Sequence, residues 1–223
     1  MNIRKGWFVL LALLLSGCAS IPFEKPRRTA TRELAAEALL APYWLGDPVV
    51  YRIRHSGLFR LRGMKLPIEG FMELDANHRK ARLVALEGMG LKLFDLTVTA
   101  ETVEVNHLIS DLRRHPGLPK AVADSVRRIF FQPQPSPADR LEIGSREYRL
   151  QRGGADETRF VFGGEPPLLL EKRGVGPSED WWVGYYQYRE QIGRQIPEGI
   201  FLQDRRAGYT LTLWLESVSC IEQ

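Results

Sequence analysis

The residues able to do chemistry are few and scattered. Cys18 and Cys220 are the two thiols, and His55, His78, His107 and His115 are the four imidazoles. No CxxC pair, H-E-x-x-H or Cys/His cluster offers metal-ligand spacing, and the chain contains no G-x-S-x-G elbow, P-loop or G-x-G-x-x-G turn. The histidines fall at strand, turn and helix-entry positions, which fits surface or hydrogen-bonded roles better than a metal site. The acids are equally dispersed, so a carboxylate pair assembled by folding is the one catalytic arrangement left open. No catalytic residue and no metal ligand is assigned. What is left is the chemistry of the Cys18 thiol and of a dense group of aromatic rings.

Cys18 stands at the end of a three-part export signal. Arg4 and Lys5 precede an apolar run from Trp7 to Leu15, followed by Leu15-Ser16-Gly17-Cys18. The run is too short to span a bilayer, which takes about 20 residues, so an uncleaved membrane anchor is the weaker reading. The ending resembles the bacterial lipobox, in which small residues before cysteine fit the peptidase and the thiol takes a diacylglyceryl group. A plain signal peptide with a chance cysteine is the alternative. On the lipobox reading residues 1–17 are removed, along with Arg4 and Lys5, and the covalent lipid on Cys18 is the only added group, with no other cofactor expected. Each buried methylene contributes about 0.8 kcal/mol, so three acyl chains hold the protein at the membrane without appreciable release. Ala19 and Ser20, with no aspartate after the cysteine, resemble the sorting pattern of outer-membrane lipoproteins and predict anchorage there, facing the periplasm.

Trp181-Trp182-Val183-Gly184-Tyr185-Tyr186-Gln187-Tyr188 gathers five aromatics in eight positions. A period of two places Trp182, Tyr186 and Tyr188 on one face and Trp181, Val183 and Tyr185 on the other. Core packing and a cavity-lining or interface role both fit such rings. The basic doublets Arg27-Arg28, Arg113-Arg114, Arg127-Arg128 and Arg205-Arg206 read first as solvated surface and second as contacts to lipid phosphate or an acidic protein. The formal net charge of +4 loses two positive charges with the signal, so nucleic acid is not an expected partner. Cys220, the thiol left once Cys18 is acylated, is expected to be buried near the C-terminus, with a bond to another chain as the alternative.

The elements that must position these groups are mostly strands. Residues 18–28, with Pro22 and Pro26 and no periodicity, read as a lipidated tether, and residues 29–223 as one domain. Thr29 or Thr31 is placed to cap a short helix over Arg32 to Leu40 that Pro42 stops. From Asp47 the period becomes two: Val49, Tyr51 and Ile53 alternate with Arg52 and Arg54, and Ile68, Gly70, Met72 and Leu74 alternate with Glu69, Phe71 and Glu73. Strands follow at Ala81 to Glu87, Leu91 to Thr97 and Thr102 to His107. A helix over Leu118 to Phe131 carries an apolar stripe of Leu118, Val122, Val126, Ile129 and Phe130, and Pro133, Pro135 and Pro137 end it. The second half returns to strands at Glu147 to Arg152, Thr158 to Gly163, Leu168 to Lys172, Trp182 to Gln191, Gly199 to Arg205 and Tyr209 to Glu216. In the last of these Tyr209, Leu211, Leu213 and Leu215 share one face.

About eleven antiparallel strands with two or three helices must form a sandwich or curl, and a strongly curved sheet lidded by helices hides both its edges and its apolar face. At this point the chain resembles the lipoprotein-carrier superfamily of the LolA/LolB type, an incomplete antiparallel β-barrel. The resemblance rests on the lipobox, the early helix, the meander, the Gly88-Met89-Gly90-Leu91-Lys92-Leu93-Phe94 turn into a strand and the helix ending Ile129-Phe130-Phe131. It implies acyl-chain binding in the concave interior and, for Met64, Leu66 and Pro67, a place in an exposed loop. The expected cavity wall is Leu91, Leu93, Phe160, Phe162, Trp182, Tyr186, Leu211 and Leu213. The expected function is a non-enzymatic outer-membrane lipoprotein that binds a lipid, lipoprotein acyl chains or a lipid-like product for envelope transport or assembly. The rival is a scaffold with a filled core that docks an envelope protein, and a hydrolase without a recognisable motif is a third reading.

Overall fold

A computed structural model describes residues 21–46 and 49–221; the export signal, Cys18 and Asp47 lie outside the described residues. Twelve antiparallel strands form one sheet, β1 (Val50–Leu61), β2 (Met64–Asp75), β3 (Lys80–Leu86), β4 (Lys92–Val98), β5 (Val103–Leu108), β6 (Arg140–Ile143), β7 (Tyr148–Arg152), β8 (Glu157–Gly163), β9 (Leu168–Val175), β10 (Asp180–Gln191), β11 (Arg194–Asp204) and β12 (Tyr209–Ile221). Two helices accompany them, α1 (Ala36–Leu40) and α2 (Leu118–Val126), the second running on into a wide π-helical turn over Arg127–Phe131.

The strand order is β5-β4-β3-β2-β1-β12-β11-β10-β9-β8-β7-β6. Two meanders are thus joined in the middle by β1 and β12, paired from Val50 with Ile221 to Leu61 with Tyr209. The outermost strands β5 and β6 do not pair with each other, so the sheet is an unclosed barrel. Both edges are blunted. β5 carries exposed Glu104, Asn106 and His107, and β6 is four residues long. The chain between these edges holds α2, which therefore crosses the concave side.

Alternation decides which side chains enter the interior. Along β1, Tyr51, Ile53, His55, Phe59 and Leu61 are buried while Arg52 and Arg54 are exposed, and β2 repeats the pattern with Ile68, Met72 and Leu74. Bulges between Arg54 and His55 (opposite β12), Ala85 and Leu86, and Val161 and Phe162 bend the sheet. At Gly70 an added Cβ would lie 1.9 Å from the Val84 carbonyl oxygen, so this bend requires glycine.

Several expectations need correcting. Met64, Leu66 and Pro67 are not in a loop: they begin β2, opposite Leu61, Phe59 and Leu58. The first helix is shorter than expected because Thr31 does not cap it. Its hydroxyl donates to the Gly144 carbonyl, and its amide donates to Ser145 O at 3.2 Å, which holds the chain extended. The segment read as a tether is docked on the sheet from Phe23 onward. The four-residue strand β6 lacked a sequence signal of its own, and Cys220 is exposed rather than buried: it lies one residue from the end of β12, opposite Tyr51 at the start of β1.

Candidate functional site

Helix α2 presents Val122, Ser125 and Val126 to the sheet, followed by Ile129 and Phe130 of the π-helical turn. Opposite them lie His55 and Phe59 of β1, Ile68 and Met72 of β2, Leu83, Phe94, and Leu211 and Leu213 of β12. Between the two layers is a small apolar cavity of about 30 Å³. That is room for one or two waters, and less than an alkyl chain occupies. Around it the described interior is lined by a continuous cluster of buried side chains.

The two ends of the helical segment are held differently. At the C-terminal end, Lys172 Nζ donates to Ile129 O at 3.1 Å and Arg128 O at 3.4 Å, and Tyr185 Oη donates to Ile129 O at 3.1 Å. Arg128 pairs with Asp204, donates to Tyr209 Oη at 3.1 Å and lies 5.5 Å above the Trp181 ring. Arg127 donates to the carbonyls of Thr99 at 2.9 Å and Thr102 at 2.7 Å. The N-terminal half has one long polar side chain, Lys120, which pairs with Asp124 of the same helix at 2.6 Å. Leu118, Ala121, Val122 and Ala123 hold that half by apolar burial alone. The segment is thus held by polar contacts at its C-terminal end and by apolar packing at its N-terminal end.

Two buried groups carry altered protonation. Burial pushes the Lys172 ammonium down to about 7, since the side chain is wholly enclosed between β9 and the π-helical turn. Burial likewise lowers His55 to about 4, so this imidazole is neutral at physiological pH. His55 is 3% exposed, and neither ring nitrogen has a hydrogen-bond partner.

The eight residues expected to form one wall are dispersed. Leu211 and Leu213 line the cavity. Phe160 and Phe162 are fully buried core residues in the half built from β7 to β9, away from the gap. Leu93 is buried at a bulge beside Phe94, whose ring does line the cavity, and Leu91 is 51% exposed ahead of β4. Trp182 and Tyr186 lie on the outer face, Trp182 donating to Glu171 at 3.1 Å and Tyr186 stacking on Phe23 at 5.3 Å. Their inward neighbours are Trp181, Val183 and Tyr185. Gln187, at φ +52°, then breaks the alternation, and Tyr188 packs against the core, with its hydroxyl donating to Leu169 O. Sequence reasoning missed His55 and α2's Ser125 as wall residues, although the phase of Tyr51, Ile53 and Phe59 places His55 on their face.

The outer face has its own feature. Phe23 is buried between Tyr186 and Trp214, each 5.3 Å from its ring centroid, over Gly199, where any Cβ would meet the Phe23 ring at 2.5 Å. Arg28 continues the docking by pairing with Glu147 and with Glu171. No helix among the described residues is long and apolar enough to cross a membrane, and no group of three or more His, Cys, Asp or Glu among them is arranged to hold a metal ion.

No protein-family model matches the chain, and no curated protein matches it in sequence. Solved structures do match in shape. A LolA superfamily protein from Nitrosomonas europaea superposes with a TM-score of 0.60 at 11% identity, over 86% of this chain and 96% of that one. A domain described as outer-membrane lipoprotein-sorting, from Vibrio parahaemolyticus, superposes with a TM-score of 0.50 at 7% identity, over 85% and 94% of the two chains. At such identities the likeness concerns architecture, and on that level the chain has the LolA-superfamily fold.

Proposed function

We propose that this protein is an outer-membrane lipoprotein, anchored through acylated Cys18 and facing the periplasm, that takes the hydrophobic part of a lipid or lipoprotein into its concave interior during envelope transport or assembly. The observation that carries the reading is the small apolar cavity beneath a helix whose polar contacts to the sheet lie at one end. The cavity as it stands describes a closed state. Lifting the Leu118 end of α2 about the Lys172–Ile129 attachment would join the gap to solvent and uncover the apolar faces of β1 to β4. Such an opening exposes apolar surface unless a ligand covers it, so uptake and opening are coupled. Phe23 bears on the geometry of anchorage: it stands five positions after Cys18, a span of at most about 18 Å, so the outer face of β10 to β12 is held close to the bilayer.

The filled interior favours a second reading, a scaffold lipoprotein whose outer face docks an envelope protein. A long-chain fatty acid bearing an environment-sensitive fluorophore separates the two. The carrier reading predicts saturable uptake by the full-length protein, weakened at least fivefold by Val122→Asp on the liftable half of α2. Folding of that variant is checked by its near-ultraviolet circular dichroism. Absence of saturable uptake by the wild-type protein would leave the scaffold.

A further inference from the structure

His55 is an anomaly in an apolar wall. It sits in mid-β1, opposite Gly70 of β2, and faces the cavity with Phe59, Met72 and Leu213 around it. The ring is buried, and neither nitrogen meets a protein donor or acceptor. The neighbouring Ser125 hydroxyl is already directed at Ala121 O, 2.8 Å away within its own helix. Leucine in place of this imidazole would fill the position without leaving a polar group unsatisfied, and an unsatisfied buried group is a recurrent sign of a functional rather than a structural role.

We propose that His55 is a ligand-binding residue that hydrogen-bonds an oxygen atom carried on the apolar part of the bound lipid, so that the cavity selects oxygenated acyl groups, either hydroxyacyl chains or chains entered up to their ester carbonyl, over plain alkyl chains. This rests on the carrier reading and names its ligand class. The chemistry follows from the neutral ring, which offers one N–H donor and one lone pair. A hydroxyl can use either nitrogen, an ester carbonyl only the N–H. In an apolar enclosure such a bond discriminates by what the plain chain leaves unpaired as well as by what the oxygen gains.

The test uses full-length protein and the fluorescent fatty acid, displaced by three competitors of one chain length: the unsubstituted fatty acid, its β-hydroxy derivative and its methyl ester. The β-hydroxy acid is expected to compete roughly three- to tenfold better than the unsubstituted acid, with the advantage lost in His55→Leu and largely kept in His55→Gln. A His55-dependent advantage of the methyl ester instead would support the inference and assign the oxygen to the ester carbonyl. Imidazole nitrogen resonances of His55 should shift with the favoured competitor and not with the unsubstituted acid. Equal competition by all three in both wild-type protein and His55→Leu would overturn the inference while leaving the carrier reading in place. No binding of the fluorescent acid to any form would overturn both. His55→Leu removes no hydrogen bond, and its folding is checked by near-ultraviolet circular dichroism.

Discussion

Two residues, His55 and Lys172, have titrations whose signs give separate predictions. The folded-state value of about 4 for His55 lies below its ordinary 6.5, so between those limits the unfolded chain holds the proton more tightly. Stability should therefore rise with pH across that window, and acidification from above pH 6.5 to pH 4 should cost about 3 kcal/mol. In His55→Leu this slope should vanish, and stability at pH 7 should rise by about 1–3 kcal/mol because an unsatisfied polar group is replaced by a packed one. Urea unfolding at a series of pH values checks both; an unchanged slope would show that the ring is solvated. Lys172 is lowered from 10.5 to about 7, so between pH 7 and 10 the unfolded chain again binds the extra proton and stability rises with pH. Above pH 10 the trend reverses, because burial pushes Tyr43, Tyr185 and Tyr188 up and the unfolded chain loses those protons first. Lys172→Met should flatten the rise between pH 7 and 9. A mutant that keeps the wild-type slope would remove Lys172 as its source. His55 could have been recognised from the strand's phase, since residue type alone suggested a surface histidine; nothing local to Lys172 signals a lysine enclosed between a strand and a helix.

At the scale of elements, alternation and turn chemistry made most of the strands readable: Ile68 to Leu74 and Tyr209 to Leu215 show their inner faces in the bare sequence. Where reading failed, a longer-range contact had overridden the local pattern. Trp182 and Tyr186 obey the expected period, but which face is interior is set by pairing, with Tyr185 opposite Ile200 and Val183 opposite Leu202. The N-terminal segment is the clearest case. Its prolines and charges indicate a tether, yet burial of the Phe23 side chain is worth about 1.5–3 kcal/mol, with further gain from ring contacts to Tyr186 and Trp214. Gly199→Val would occupy the Phe23 seat without touching the inner face. Tryptic cleavage after Arg27 or Arg28 should then quicken at least about fivefold while the core melts almost as before, because local release needs only the docking energy. Unchanged cleavage would show that Arg28, Thr31 and the rest of the segment hold without Phe23.

At the scale of the molecule, two meanders joined through β1 and β12 produce a concave wall whose free edges are bridged by the chain that carries α2. That arrangement covers the apolar inner face of the sheet, and the proposed opening runs through the apolar contact beneath Leu118 to Ala123. The overall curl was legible from strand number and spacing; the near-complete filling of the interior was not, since it depends on how far one amphipathic helix settles into the sheet. On the proposed function, this contact opens to admit the hydrophobic part of a lipid. Native mass spectrometry of the full-length protein, gently released from its membrane and followed by extraction and identification of the bound species, tests it most directly. The account predicts a population carrying one noncovalent lipid or lipoprotein acyl group beyond the covalent anchor, diminished in Val122→Asp. Protein that carries only its anchor, and stays so when incubated with lipid vesicles, would contradict it.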